Sequence, residues 1–136
     1  MPQIILNQIR TPDGTILKSF HRQHYVQHLD KNGKMYMVDG GNDYLRRNRH
    51  DDAPYDELTV YSDADFKIIR ESLHRGGRGK DGTSPLTWVP LNKMSDSWLD
   101  AAIEYNSNHG LENTYVTQFY KKEQEYRKDN NIKINE

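Results

Sequence analysis

Apolar and polar positions along the chain change period once, and that change orders the elements. In the first fifty residues the apolar positions come in short runs divided by turn signals. Gln3–Arg10 and Thr15–Phe20 flank Thr11-Pro12-Asp13-Gly14, where proline fixes φ and Asp-Gly closes the turn, which predicts a β-hairpin. His24–Leu29 and Lys34–Val38 flank Asp30-Lys31-Asn32-Gly33, and Asn-Gly is the strongest short hairpin signal because both residues tolerate positive φ. Met35-Tyr36-Met37-Val38 is almost wholly apolar, as expected of a strand covered on both faces. Asp39–Asp43 then breaks the sheet, and Tyr44-Leu45-Arg46-Arg47 follows as a short extended exit.

After a polar link over residues 48–54 the period becomes helical. Glu57–Tyr61 reads as a short strand, and Ser62–Asp65 brings N-cap chemistry to a helix expected near Asp63–Arg75. Phe66, Ile69 and Leu73 form its apolar face, Ile68 widens it, and Gly76 stands where a C-terminal glycine would stop it. A glycine-rich loop reaches Pro85, and Leu86–Leu91 is extended. Ser95 caps a helix that runs to about His109, with Trp98, Leu99, Ala102 and Ile103 inward, and Gly110 ends it. A third helix starts at Asn113 or Thr114 and runs through Arg127, with Val116, Phe119, Tyr120 and Tyr126 on its apolar side. Ile132 and Ile134 could add a short edge strand within the polar tail of residues 129–136. The expected fold class is α+β: two N-terminal β-hairpins forming a small antiparallel sheet, then about three helices. One domain over residues 1–136 is expected, with a hairpin part (1–47) and a mainly helical part (57–128).

Composition tightens this picture. Leu, Ile, Val and Phe make up only 27 of 136 residues, so the core must be lean, and nine tyrosines supply part of its area. Nineteen Lys and Arg against twenty Asp and Glu remove the self-repulsion that sustains disorder. The charge is uneven, +4 over residues 1–50 and −4 over residues 51–100, which argues against a nucleic-acid-coating role. No apolar run approaches a membrane span and no signal peptide precedes the first strand, so a cytoplasmic location without membrane partners is expected. The absence of cysteine removes disulfides and thiolate zinc sites.

Four features could carry chemistry. Arg75-Gly76-Gly77-Arg78-Gly79-Lys80 combines anion-seeking cations with glycines that let backbone N–H groups approach an anion, but it lacks the P-loop order. Tyr44 precedes Arg46 and Arg47, which face opposite ways on an extended segment, so one can join a pocket while the other pairs with Asp51, Asp52 or Asp56. Arg22 precedes the strand His24–Leu29, on which His24 and His28 align and His21 does not, with His24 as an anion donor or proton-transfer group; no metal pattern accompanies the histidines. Tyrosines and Trp88 beside arginine offer the pairing a nucleotide needs, one part for phosphate and one for base. The plain reading of each is a mobile loop, a salt bridge, a surface imidazole and core filling, respectively.

A resemblance adds to this. Asn7-Gln8-Ile9-Arg10, Ser19, His21-Arg22-Gln23-His24-Tyr25, Val38-Asp39-Gly40-Gly41 and Tyr44-Leu45-Arg46-Arg47 resemble a small family of bacterial and phage proteins. In shorter members paired cysteines sit at the two turns, as in a zinc ribbon; here those places hold the Pro-Asp-Gly and Asn-Gly turns. Pro54–Leu58, Val60-Tyr61, Arg78–Gly82, Pro85-Leu86 and Met94-Ser95-Asp96 resemble conserved small proteins of tailed bacteriophages. The resemblance implies a viral origin and brings no mechanism. The resulting expectation is a non-enzymatic phage accessory protein, without cofactor, that binds a small anionic, nucleotide-derived ligand through Arg22, His24, Tyr44, Arg46, Arg47, Arg75, Arg78 and Lys80. Sequestering a host immune signal is one use. The alternatives are a protein–protein or oligomerising module acting on a host protein, and a hydrolase or nucleic-acid binder.

Overall fold

The computed structural model describes residues 2–47, 54–79 and 81–135. Their contacts divide the chain into two compact units, Met1–Ser72 and Leu73–Glu136, so the division falls at the end of a helix instead of in the polar link.

The first unit is built on the two expected hairpins. β1 (Ile4–Arg10) pairs antiparallel with β2 (Ile16–Ser19), and β3 (Val26–Leu29) with β4 (Met35–Asp39). Later strands extend each hairpin. The exit segment becomes β5 (Arg46–Arg47) on β4, while the Glu57–Tyr61 region divides into β6 (Asp56–Glu57) and β7 (Val60–Tyr61), both on the free edge of β1. β1 is therefore a central strand, which explains its burial on successive residues Ile5, Leu6 and Asn7. Ile9, Leu17, Tyr36 and Val38 form one buried cluster with Val26 against it, so both hairpins share a core. Each of these side chains removed from water contributes about 1.5–3 kcal/mol before entropy is counted.

β4 corrects the expectation of a strand covered on both faces. Tyr36 and Val38 are buried, but Met35 is 46% exposed and Met37 half-buried, so the strand alternates. Met35–Val38 is apolar throughout, but no described element covers its outer face.

The two turns are tied to each other by polar groups. Asp13 Oδ1 accepts from Thr11 Oγ1, Thr15 N–H and Thr15 Oγ1, and its Oδ2 accepts from the Lys31 N–H. His28 Nε2 lies 2.8 Å from the same Oδ2, and Asp30 Oδ1 accepts from the Asp13 N–H at 3.1 Å. Asp30 Oδ2 takes the Asn32 N–H, so every carboxylate oxygen of the pair has a hydrogen-bond partner. Ligand-capable atoms of Asp13, His28 and Asp30 lie within 4.8 Å of one another, and the network holds the turns together.

The helix expected over Asp63–Arg75 is shorter, α1 (Phe66–Ser72). Ser72 Oγ bonds back to the Ile68 carbonyl at 2.7 Å, and the chain then leaves the helix. His74–Gly77 forms β8, which pairs with β9 (Thr87–Pro90) and opens the second unit. Gly76 is thus a strand residue and not a helix stop. Consecutive glycines are among the costliest residues to keep helical, while an extended pair lets bulky rings pack on the backbone. A Cβ on Gly76 would stand 3.1 Å from the Trp88 ring, and one on Gly77 would stand 2.8 Å from the Trp98 ring. The two indoles therefore flank one bare stretch of strand on opposite sides.

α2 (Asp96–Asn108) and α3 (Tyr115–Asp129) follow the expected pair closely. Ser95 and Thr114 cap them by accepting from the Trp98 and Thr117 N–H groups, and Gly110 takes the positive φ (+75°) that ends the first. The inner face of α3 is more polar than its pattern suggests. Thr117, Tyr120, Glu123 and Arg127 are buried, while Val116, Phe119 and Tyr126 are half-buried. Arg127 donates to Glu123 Oε2 (2.7 Å), Asp96 Oδ1 (2.8 Å) and the Leu91 carbonyl (2.9 Å), joining α3, the start of α2 and the turn after β9. The tail makes no strand among the described residues; the Ile134 carbonyl instead accepts from the Asp96 N–H, and the Ile134 N–H donates to Asp96 Oδ2. No helix among the described residues is long and apolar enough to cross a membrane.

Candidate functional site

The eight residues singled out by sequence fall in both units. Arg22, His24, Tyr44, Arg46 and Arg47 belong to the first, Arg75 and Arg78 to the second, and Lys80 lies outside the described residues.

Those of the first unit are engaged by the fold. Arg47 is the inward member of its pair: it donates to Asn7 Oδ1, to Glu57 Oε1 at 2.8 Å and to Thr59 Oγ1 at 2.6 Å. Burial raises the Glu57 carboxyl, but hydrogen bonds from Thr59 and Arg47 outweigh it and hold the group below its ordinary value. Arg46 points outward, 3.5 Å from Asp39 Oδ2, and Arg22 pairs with Asp43 at 3.3 Å on the open surface. Asp56, expected as a partner of the paired arginines, takes Arg10 at 2.8 Å; Asp51 and Asp52 lie outside the described residues. Tyr44 packs against Gly40, and Gly41 lies against the backbone of His21, so the twin glycines admit neighbouring chain.

His24 has an internal role as well. Its Nδ1 accepts the Phe20 N–H at 3.0 Å, and its ring stacks on Phe20 and His21. Burial, then the neighbouring His21 charge, hold its pKa below the ordinary imidazole value, and Asp39 opposes them more weakly. The lowered pKa favours the neutral ring, in keeping with Nδ1 acting as an acceptor.

In the second unit, Arg75 lies over the rings of Tyr105 and Tyr120 (5.9 and 5.7 Å) and donates to the Tyr120 hydroxyl at 3.3 Å. Arg78 does not share this fate. It borders an open groove of about 620 Å³, together with Gly77, Gly79, Thr87, Val89, Lys93, Ser95, Ser97, Trp98, Ala101 and Asn135. The hairpin β8–β9 supplies one wall, the first turns of α2 the other, and the tail residue Asn135 a margin. Neither Arg78 nor Lys93 has a carboxylate partner among the described residues. No Asp, Glu or His is among the lining residues, so the groove carries two positive charges that nothing in its described lining cancels.

Sequence reasoning found the Gly77-Arg78-Gly79 margin and missed Lys93, Ser95, Ser97 and Asn135. Ser95 carried a signal as the helix cap; Lys93 sits in a three-residue turn (Leu91–Lys93), which has no periodic signature. Trp98 was assigned to the core, and in the fold one ring edge lies on Gly77 while the indole borders the groove. No family model, curated protein or solved structure matches this chain. The groove's own chemistry carries the functional reading.

Proposed function

We propose that the groove of the second unit binds a small phosphorylated ligand and holds it without converting it. The observation that carries this reading is the meeting of Arg78 and Lys93, the hydroxyls of Thr87, Ser95 and Ser97, and the Trp98 indole in one groove. A guanidinium presents a planar fork matched to phosphate oxygens, an ammonium adds a point charge, and hydroxyls satisfy the remaining lone pairs. The volume lies in the range of small-molecule sites. A described lining without carboxylate or imidazole suits anion capture better than general acid–base work. Sequestering an anionic signal is the biological use we attach to it, and the resemblance to tailed-phage proteins motivates that step.

Calorimetric titration of the full chain with inorganic phosphate and with pyrophosphate tests the proposal. Saturable uptake is expected, weakened at least tenfold by the double substitution Arg78→Ala and Lys93→Ala with thermal unfolding unchanged. Silence with both probes, or uptake indifferent to the double substitution, overturns it.

A second reading, self-association, is favoured by a different surface. Leu29 (62% exposed) and Met35 (46%) are paired across β3 and β4 as an exposed apolar pair, and Tyr25 (51%) is exposed four residues earlier in the chain. Light scattering discriminates: a dimer that Leu29→Lys makes monomeric supports this reading, and a monomer at high concentration removes it.

A further inference from the structure

We infer that the ligand of this groove is a nucleotide, with its base against Trp98 and its phosphate at Arg78 and Lys93. The inference rests on the phosphorylated-ligand reading and adds the chemistry of the ligand's body. A lone phosphate needs the room of two or three waters, roughly 60–90 Å³ at ~30 Å³ each. The groove is several times larger, so most of it must receive something other than the anion.

The walls state what that is. Val89, Ala101 and Trp98 are apolar, and they share the groove with the two cations. A sugar body would want hydrogen-bonding groups in their place, whereas a flat heterocycle gains from an indole and small aliphatic neighbours. The ring is also held. With no side chain on Gly77, the β8 backbone lies against the Trp98 six-membered ring, and Ser95 Oγ accepts the Trp98 backbone N–H at 3.2 Å, fixing the main chain that carries the ring. A stacking surface fixed before binding loses little freedom when the ligand arrives. The glycine-rich segment thus serves the base side of the site at Gly77 and the anion side at Arg78.

The test uses the full chain with Trp88→Phe, which leaves Trp98 as its single indole. Inorganic phosphate, ribose 5-phosphate, the four common ribonucleoside monophosphates and their nucleosides are titrated while indole emission is followed. At least one monophosphate is expected to bind tenfold more tightly than ribose 5-phosphate, a difference of about 1.4 kcal/mol, and to quench Trp98. Followed by calorimetry, because these variants carry no indole, Trp98→Phe keeps an aromatic face and should retain most of that advantage, while Trp98→Leu should bring the monophosphate down to the level of ribose 5-phosphate. Ribose 5-phosphate matching every monophosphate overturns the inference while the phosphorylated-ligand reading stands. Nucleosides matching their monophosphates, or no uptake of any phosphorylated probe, overturns both.

Discussion

Glu123→Gln removes one charge from the most buried ion pair among the described residues and leaves shape and volume nearly unchanged. Glu123 is fully buried, and Arg127 is only 3% exposed. The guanidinium makes three short bonds, to Glu123, Asp96 and the Leu91 carbonyl. Stranding one partner of a buried pair costs about 3–5 kcal/mol, because the remaining charge keeps its desolvation penalty without compensation. Asp96 still faces Arg127 in the variant, which places the loss near the lower figure, about 3 kcal/mol. Small domains have total stabilities of about 5–15 kcal/mol, so the effect is a large fraction of the whole. Urea unfolding followed by far-ultraviolet circular dichroism measures it. A cycle with Arg127→Met separates the pair from its members: the double variant Glu123→Gln with Arg127→Met should cost less than the two single losses added. A Glu123→Gln variant within about 0.5 kcal/mol of the parent would refute the claim that this pair knits α3 to the start of α2.

Other expectations follow from the same geometry. Gly77→Ala puts a methyl 2.8 Å from the Trp98 ring, which must shift to admit it; overpacking of about 1–3 kcal/mol outweighs the smaller entropic gain of alanine, and a changed Trp emission spectrum should accompany the loss. Gly76→Ala, at 3.1 Å from Trp88, should cost less in the same denaturation assay. Arg47→Met leaves Asn7, which is buried, without its donor and should cost about 2–4 kcal/mol in urea unfolding, whereas Arg46→Ala, at a half-exposed pair, should stay within about 0.5 kcal/mol. Hydrogen bonds from Thr15 and His28 outweigh burial and hold the Asp13 carboxyl well below the ordinary carboxylate range. A group whose pKa is depressed by folding contributes stability above its unfolded value, 3.8, and loses it as the pH falls further. Stability measured by denaturation from pH 6 down to pH 2 should therefore fall below about pH 4 in the parent and fall less steeply in Asp13→Asn.

Much of the fold was legible because its signals are local. Pro-Asp-Gly and Asn-Gly turns, the Ser95 and Thr114 caps and the Gly110 stop each act within four residues, and each hairpin and helix pair stands where they put it. The helix over Asp63–Arg75 was misread because a valid cap and an apolar face extend into a segment whose partner, Thr87–Pro90, lies ten residues beyond it. Only that pairing, and the indoles it admits, makes an extended Gly76-Gly77 preferable. The inner face of α3 was misread for a related reason. Glu123 and Arg127 look like an exposed helical pair until Asp96 and the Leu91 carbonyl, remote in sequence, enclose them.

The candidate site was legible only at one margin. Basic residues near glycine drew attention to Arg75 and Arg78 alike, yet Arg75 lies over the Tyr105 and Tyr120 rings while Arg78, just past the end of β8, borders the groove. Arg47 resembled a ligand-binding residue because no sequence rule places Asn7, Glu57 and Thr59 around it. Lys93 and Asn135 were invisible for the converse reason, since tertiary packing alone brings them to a groove floored by a cap and a tryptophan.

Pyrophosphate titrated into ¹⁵N-labelled full-length chain, with every backbone and indole N–H followed by nuclear magnetic resonance, tests the central claim most directly. Shifts are expected to concentrate at Gly77–Gly79, at Lys93–Trp98 and on the Trp98 indole N–H, and to saturate together. Shifts centred on Arg22, Arg46 and Arg47, or spread evenly over all exposed cations without saturation, would contradict it.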